Sequence, residues 1–374
     1  MRIDGIILRE LHLPLVRPFE TSFGVTRNRR ILLAEVRSEG LTGWGECTAG
    51  EKPFFSGEST DTAWQVIVND LGPMLASAEN VEHGGECPKL FKLVRENPMA
   101  KAALENAIWD LEAQREGVSL SRLLGGVQDK IPCGVSIGIQ PSIAELMATV
   151  ERELAAGYQR IKLKCKPGWD TEVFDAVRNR WPGIALSCDA NSAYKLKDAE
   201  TIVGWDAFDL MMIEQPLWND DFYYHSMLQR QLNTPICLDE SIHNRRDTLA
   251  AIEMESCRII NIKNGRVGGL GEAVAVHNAA MERGIPVWCG GMLETGIGRS
   301  HNIALSSLEN FTLPGDVSAS KRYYKEDIIE PPVEVSPQGE ITVPTTPGRG
   351  YEVREDLVDR LTVRKEEIRA MAFA

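Results

Sequence analysis

Five ionisable residues recur along the chain at nearly one interval. Lys164, Asp189, Glu214, Asp239 and Lys263 are separated by 25, 25, 25 and 24 residues. Each ends a short apolar stretch, so each takes the same place in successive copies of one structural unit. Taken singly, any of them reads as a salt bridge or a helix cap, since Asp before a helix is a common N-cap. Taken together, three acids between two amines describe a reaction centre. Asp189, Glu214 and Asp239 offer oxygen alone, with no His or Cys, which favours Mg²⁺ over Zn²⁺, with Mn²⁺ as the substitute. A cation there would accept a substrate carboxylate and stabilise the second negative charge that develops when an α-proton leaves. Lys162 and Lys164 are two apart, hence on one face of a strand. Like charges so close to each other and to a cation lower a lysine pKa, and a neutral amine is a base. Lys263 approaches from the other side of the same mouth. Arg266 follows it in Lys263-Asn264-Gly265-Arg266, either tuning Lys263 by repulsion or standing as a solvated loop charge.

Weaker features surround this set. Asn191 follows Asp189 by two and reads as a support for it or as a cap. Glu240 is expected to hydrogen-bond a lysine or to make an ordinary salt bridge. Ser136 ends an apolar strand and reads as a substrate contact or a turn serine. In Gly290-Gly291-Met292-Leu293-Glu294, small residues leave room for a bound molecule beside Met292. The six histidines fall mostly in helices or loops, which argues against a His base at this mouth.

The elements that must position these residues follow from periodicity. Strands are expected at Ile131–Ile137, Arg160–Cys165, Ile184–Asp189, Leu210–Glu214, Ile236–Asp239, Arg258–Lys263 and Ile285–Cys289. A weaker eighth lies near Phe311–Leu313. Amphipathic stretches such as Ile143–Ala155 and Gly269–Arg283 sit between them. Such alternation implies parallel strands with right-handed crossovers. The expected fold class is therefore α/β, a (β/α)7β-type (TIM-like) barrel, in which the five residues arc around one mouth. An open doubly wound sheet is the alternative, but it would be expected to show a Gly-rich phosphate loop after an early strand, and no convincing one occurs. Residues 1–126 read as an N-terminal α+β capping domain, with strands at Ile3–Leu15 and Arg30–Ser38 and helices at Thr60–Leu71 and Pro98–Glu116. The barrel takes 127–344, and the charged segment 345–374 is expected to return to the cap.

Bulk composition bounds the rest. The 374 residues are 43% apolar and 25% charged, which suits an ordinary globular protein with room for two domains. A net charge of −13 argues against nucleic acid as a partner. Eight cysteines without a CxxC read as thiols in a reducing compartment. No signal-peptide design and no membrane-length apolar run is present, so a cytoplasmic location is expected.

Lys162-Leu163-Lys164, Asp189-Ala190-Asn191, Glu214-Gln215-Pro216, Asp239-Glu240-Ser241 and Lys263-Asn264-Gly265-Arg266 resemble the muconate-lactonizing subgroup of the enolase superfamily. A Lys or His base with Mg²⁺ and an enediolate is that superfamily's known chemistry. Gly43-Trp44-Gly45-Glu46-Cys47 and Ala107-Ile108-Trp109-Asp110-Leu111 look like its capping domain. Pro18-Phe19-Glu20-Thr21-Ser22-Phe23-Gly24, the Gly291–Gly296 segment and Leu313-Pro314-Gly315-Asp316-Val317-Ser318-Ala319-Ser320 look like the o-succinylbenzoate synthase / N-acylamino acid racemase family. The resemblance implies Mg²⁺ on Asp189, Glu214 and Asp239. It implies Lys164 and Lys263 as the acid/base pair supported by Lys162, and a mobile loop carrying Phe19 and Ser22 over the substrate. The implied activity is syn-dehydration of 2-succinyl-6-hydroxy-2,4-cyclohexadiene-1-carboxylate to 2-succinylbenzoate in menaquinone synthesis. Racemisation of N-succinylamino acids by the same lysines is the alternative, and one protein can carry both. A small-molecule carboxylate and further copies of the chain are the expected partners, with no nucleic acid and no membrane. Dipeptide epimerases carry two aspartates where Asp316-Val317-Ser318 has one, which counts against that specificity. A non-catalytic barrel would be expected to have lost base or metal residues, and all are present.

Overall fold

The computed structural model describes residues 1–369, so residues 370–374 of the expected return lie outside the described residues. An antiparallel sheet opens the chain. Its order is Thr362–Ile368, Gly5–Thr21, Gly24–Ser38, Leu41–Cys47. The last two strands meet through Glu39 and Gly40, both at positive φ (52° and 80°), as a two-residue hairpin turn of the favoured hand requires. Residues Phe19–Thr21 pair with Gly24–Thr26, so the expected mobile loop is a β-hairpin whose tip is Ser22-Phe23. Its register continues the sheet after an irregularity between Pro14 and Phe19.

Helix Pro98–Glu116 lies across this sheet. Pro98 pre-sets the first turn, and Gly117 ends the helix in the left-handed region at φ 68°. Ala103, Ala107 and Leu111 form its sheet-facing stripe, and Gly43 and Gly45 let the backbones touch, since a Cβ on Gly45 would strike the Ala103 carbonyl. The same helix buries Glu105, Asn106 and Asp110, and Asp110 accepts from the Trp44 backbone of the sheet at 3.1 Å. The expected helix at Thr60–Leu71 exists but loosens into a wider turn over Ile67–Leu71.

Beyond residue 133 the architecture is a curled parallel sheet with helices between its strands. Seven strands stand in sequence order: Gly134–Ile137, Arg160–Lys164, Ala185–Asp189, Ile213–Glu214, Ile236–Leu238, Ile259–Ile262 and Val287–Cys289. Each matches an expected strand, with ends trimmed. The first expected strand divides: Lys130–Pro132 pairs antiparallel with Glu340–Thr342, and only the remainder joins the parallel sheet. The eighth does not form as a strand. Instead Phe311 bridges Val287 on one edge of the sheet and Gly315 bridges Cys133 on the other. Among the described residues three apolar clusters result: one under the antiparallel sheet, one between the curled sheet and its helices, and a small one of Met212, Cys237, Ile259 and Trp288. Among the described residues, no helix is long and apolar enough to cross a membrane.

Candidate active site

Register places the reactive residues. Lys164, Asp189 and Glu214 lie side by side on three adjacent strands. Asp239 and Lys263 follow directly on the ends of the next two. One carboxylate oxygen from each of Asp189, Glu214 and Asp239 lies within 4.8 Å of the others, and all three side chains are fully buried. Such a set is costly alone and suits a hard divalent cation. Burial and the neighbouring Asp189 push the Glu214 carboxyl well above the usual range. Burial also acts to raise Asp189, but Lys164 and Lys162 outweigh it and hold the group low. The same contest at Asp239 is won by Lys263 and Arg266.

The amines enclose this trio. Lys164 Nζ donates to Asp189 Oδ2 and to Asn191 Oδ1, both at 2.6 Å. Lys263 Nζ donates to Asp239 Oδ2 at 2.6 Å and stands 4.4 Å from the centre of the Phe55 ring. Lys162 Nζ lies 2.7 Å from Glu214 Oε2, 2.7 Å from Asp316 Oδ2 and 3.4 Å from Asp189 Oδ2. Beneath it the Trp288 ring is 4.5 Å away. Alternation along the strand explains why Lys162 and Lys164 share a face. The expected fall in lysine pKa is reversed where only these groups act. Burial pulls Lys162 down, but Asp316, Glu214 and Asp189 together hold it well above its ordinary value. Lys263 is likewise raised, because Asp239 and Glu214 outweigh its burial. The expectation assumed a cation already balancing the carboxylates.

Supporting residues fix the carboxylates. Asn261 Nδ2 donates to Glu214 Oε1 at 2.8 Å, and Gln215 Oε1 accepts from the Asp239 backbone at 2.9 Å. Arg266 is buried rather than solvated, and it shares the Asp239 carboxylate with Lys263. It pairs with Asp239 Oδ1 and donates to the Ile242 and Asn261 carbonyls, each at 2.7 Å. Among the described residues Glu240 hydrogen-bonds no lysine. It accepts from Asn191 Nδ2 at 2.9 Å, and burial with the nearby Asp239 and Asp189 pushes it up to about 7.

A cavity of about 350 Å³ opens over the amines. Lys162, Lys164 and Lys263 line it together with Ser136, Asn191, Phe19 and Met292. Ser136 Oγ has no hydrogen-bond partner among the described residues. Ser22 is not in the wall; its hydroxyl donates to the Asn191 carbonyl at 3.3 Å, tying the hairpin tip to the site. Sequence reasoning missed Arg160, Asn261, Gln215 and Trp288, and gave Asp316 no contact with Lys162. Arg160 was detectable, being two residues before Lys162 and so on the same face. Asp316 and Trp288 come from the far edge of the curl, where no local pattern points to Lys162.

Buried carboxylates able to hold a metal ion, flanking amines and a cavity at the C-terminal ends of parallel strands are the arrangement that metal-assisted acid–base chemistry needs. The chain belongs to the enolase superfamily. Residues 4–125 match the mandelate racemase / muconate lactonizing enzyme N-terminal domain, and residues 145–357 match the enolase C-terminal domain-like family. It is 52% identical to an o-succinylbenzoate synthase from Geobacillus stearothermophilus, over 97% of this chain and 96% of that one. An N-succinylamino acid racemase from Amycolatopsis sp is 46% identical over 98% of this chain and 99% of its own. A crystal structure of an enolase-superfamily member from Listeria innocua superposes with a TM-score of 0.94 at 40% identity, covering 98% of this chain and 99% of that chain.

Proposed function

We propose that this chain is an o-succinylbenzoate synthase, dehydrating 2-succinyl-6-hydroxy-2,4-cyclohexadiene-1-carboxylate to 2-succinylbenzoate in menaquinone synthesis. One observation carries the reading: two amines, Lys164 and Lys263, approach the same carboxylate trio from different strands and open into one cavity. Asp189, Glu214 and Asp239 would hold Mg²⁺. Bound there, the ion supplies positive charge against the second negative charge that develops on the substrate carboxylate. Lys164, as the neutral amine, takes the α-proton and leaves an enediolate. The ring hydroxyl then departs, accepting that proton from the same lysine, so proton and hydroxyl leave as water from one face. Lys263 stays cationic and steadies the intermediate, and Lys162, fixed by Glu214 and Asp316, serves as a stationary charge. Asn191 orients Lys164.

Racemisation of N-succinylamino acids is the second reading. It is favoured by the same pair, since an amine on each side of one carbon can remove a proton from one face and return it to the other. The proposed architecture is a (β/α)7β barrel over 127–344, closed where Phe311 and Gly315 bridge its two edges, and capped by 1–126 with the return from 345. The test is direct. Protein loaded with Mg²⁺ should convert the cyclohexadiene to the aromatic product, followed by ultraviolet absorbance. Absence of turnover refutes the assignment.

A further inference from the structure

Six arginines are buried among the described residues: Arg9, Arg29, Arg160, Arg266, Arg299 and Arg349. Five of them have a carboxylate partner, namely Glu35, Asp316, Asp239, Asp327 and Asp110 for Arg9, Arg160, Arg266, Arg299 and Arg349. Among the described residues Arg29 makes no ion pair, although it is only 6% exposed. Its Nη2 donates to the Thr48 carbonyl at 3.2 Å and the Ala49 carbonyl at 3.4 Å, while Nε is buried without a partner. An arginine cannot escape burial by losing its proton, so an unpaired one is a standing cost to the fold. Its location gives the reason. Arg29 lines the cavity that also holds Lys162, Lys164 and Lys263.

Two different parts of the chain line this cavity. The lysines rise from the parallel sheet, whereas Arg29 sits on the antiparallel strand Gly24–Ser38. Phe19, Phe54 and Phe55 add aromatic wall to the same cavity. Arg27 and Lys52 also reach the cavity, but both are exposed and already solvated, so neither gains as much from an anion.

We infer that Arg29 receives a second anionic group of the substrate, a carboxylate on the arm extending from the reacting carbon toward the antiparallel sheet. This rests on the proposed function, in which each substrate carries one carboxylate beside the reacting carbon and another at the succinyl end. A guanidinium fork suits that terminal carboxylate, and its burial makes the pairing strong. The capping part of the chain would thereby select dianionic over monoanionic substrates.

The experiment compares wild type, Arg29→Met and Arg29→Lys on N-succinyl and N-acetyl forms of one amino acid. In Arg29→Met, KM for the N-succinyl substrate should rise about ten- to hundredfold, the usual effect of losing a charged hydrogen bond. KM for the N-acetyl substrate should stay within about threefold on the same reasoning, and Arg29→Lys should recover part of the loss. Equal loss on both substrates overturns the inference and assigns Arg29 to holding Thr48 and Ala49. Calorimetric binding of 2-succinylbenzoate and benzoate makes the same comparison without turnover. A protein that catalyses neither reaction, yet prefers the dicarboxylate through Arg29, loses the proposed activity and keeps the inference. Equal affinity for the two acids in wild type overturns it.

Discussion

Replacing Glu105 with glutamine isolates a buried proton on a residue that does not line the cavity. Glu105 sits on helix Pro98–Glu116 at the junction with the helix Leu270–Glu282. Its Oε1 accepts from Trp109 Nε1 at 3.1 Å and from the Gly271 backbone at 2.9 Å, and Oε2 is buried without a partner. Burial pushes the carboxyl up to about 8 from an ordinary 4.5. The folded chain therefore keeps a proton that the unfolded chain gives up. Its stabilising effect is complete below the unfolded value and is lost as pH rises through the folded one. Each pH unit inside that window is worth about 1.4 kcal/mol, so moving from about pH 6 to about pH 9 should cost about 2.5 kcal/mol through this group. Gln keeps the acceptor oxygen and cannot ionise, so Glu105→Gln should lack this component. Urea unfolding of both proteins at the two pH values measures it as a difference of differences, which removes titrations common to both. Equal pH dependence in wild type and variant would show that Glu105 is ionised in the fold and that the reasoning is wrong.

Asp239→Asn should abolish the heat of Mg²⁺ binding and strand Lys263 and Arg266 without their shared carboxylate, lowering stability by about 3 kcal/mol. Calorimetry and thermal melting check the two effects separately, and undiminished Mg²⁺ affinity would remove Asp239 from the ligand set. Gly45→Ala should lower stability by about 1–3 kcal/mol or more, because the added Cβ meets the Ala103 carbonyl rather than a side chain that can turn away. An unchanged melting temperature would show that helix Pro98–Glu116 can shift on its sheet.

The reaction centre was legible because its chemistry repeats with the structural unit. One strand and one helix take about 25 residues here, so five equivalent positions appear as five matching residues in the sequence. Contacts made across the curl have no such mark. Asp316 reaches Lys162 from a segment that is not even a strand, and Trp288 slides beneath it from the seventh. The pairing of Ile6 with Ile368 lies almost the whole chain apart, and only a loose expectation of a C-terminal return anticipated it. Strand ends were overread because apolar runs outlast the regular strand, as at Leu210–Glu214, where the strand itself is Ile213–Glu214. Arg266 and Glu240 were placed near the centre, but the Asp239 carboxylate that Arg266 shares with Lys263 and the Asn191 amide that meets Glu240 were not foreseen. Sequence spacing fixes which face a residue shares, and packing decides which neighbour it meets.

Solvent deuterium uptake decides whether the two amines work on opposite sides of one carbon. With Mg²⁺ supplied in deuterium oxide, wild type should label both enantiomers of an N-succinylamino acid at the α-carbon. Lys164→Ala and Lys263→Ala should each retain labelling of one enantiomer, a different one in each case, and lose about 10²–10⁴-fold on the other. Labelling of both enantiomers by either variant, or undiminished racemisation in Lys263→Ala, would contradict the two-amine geometry.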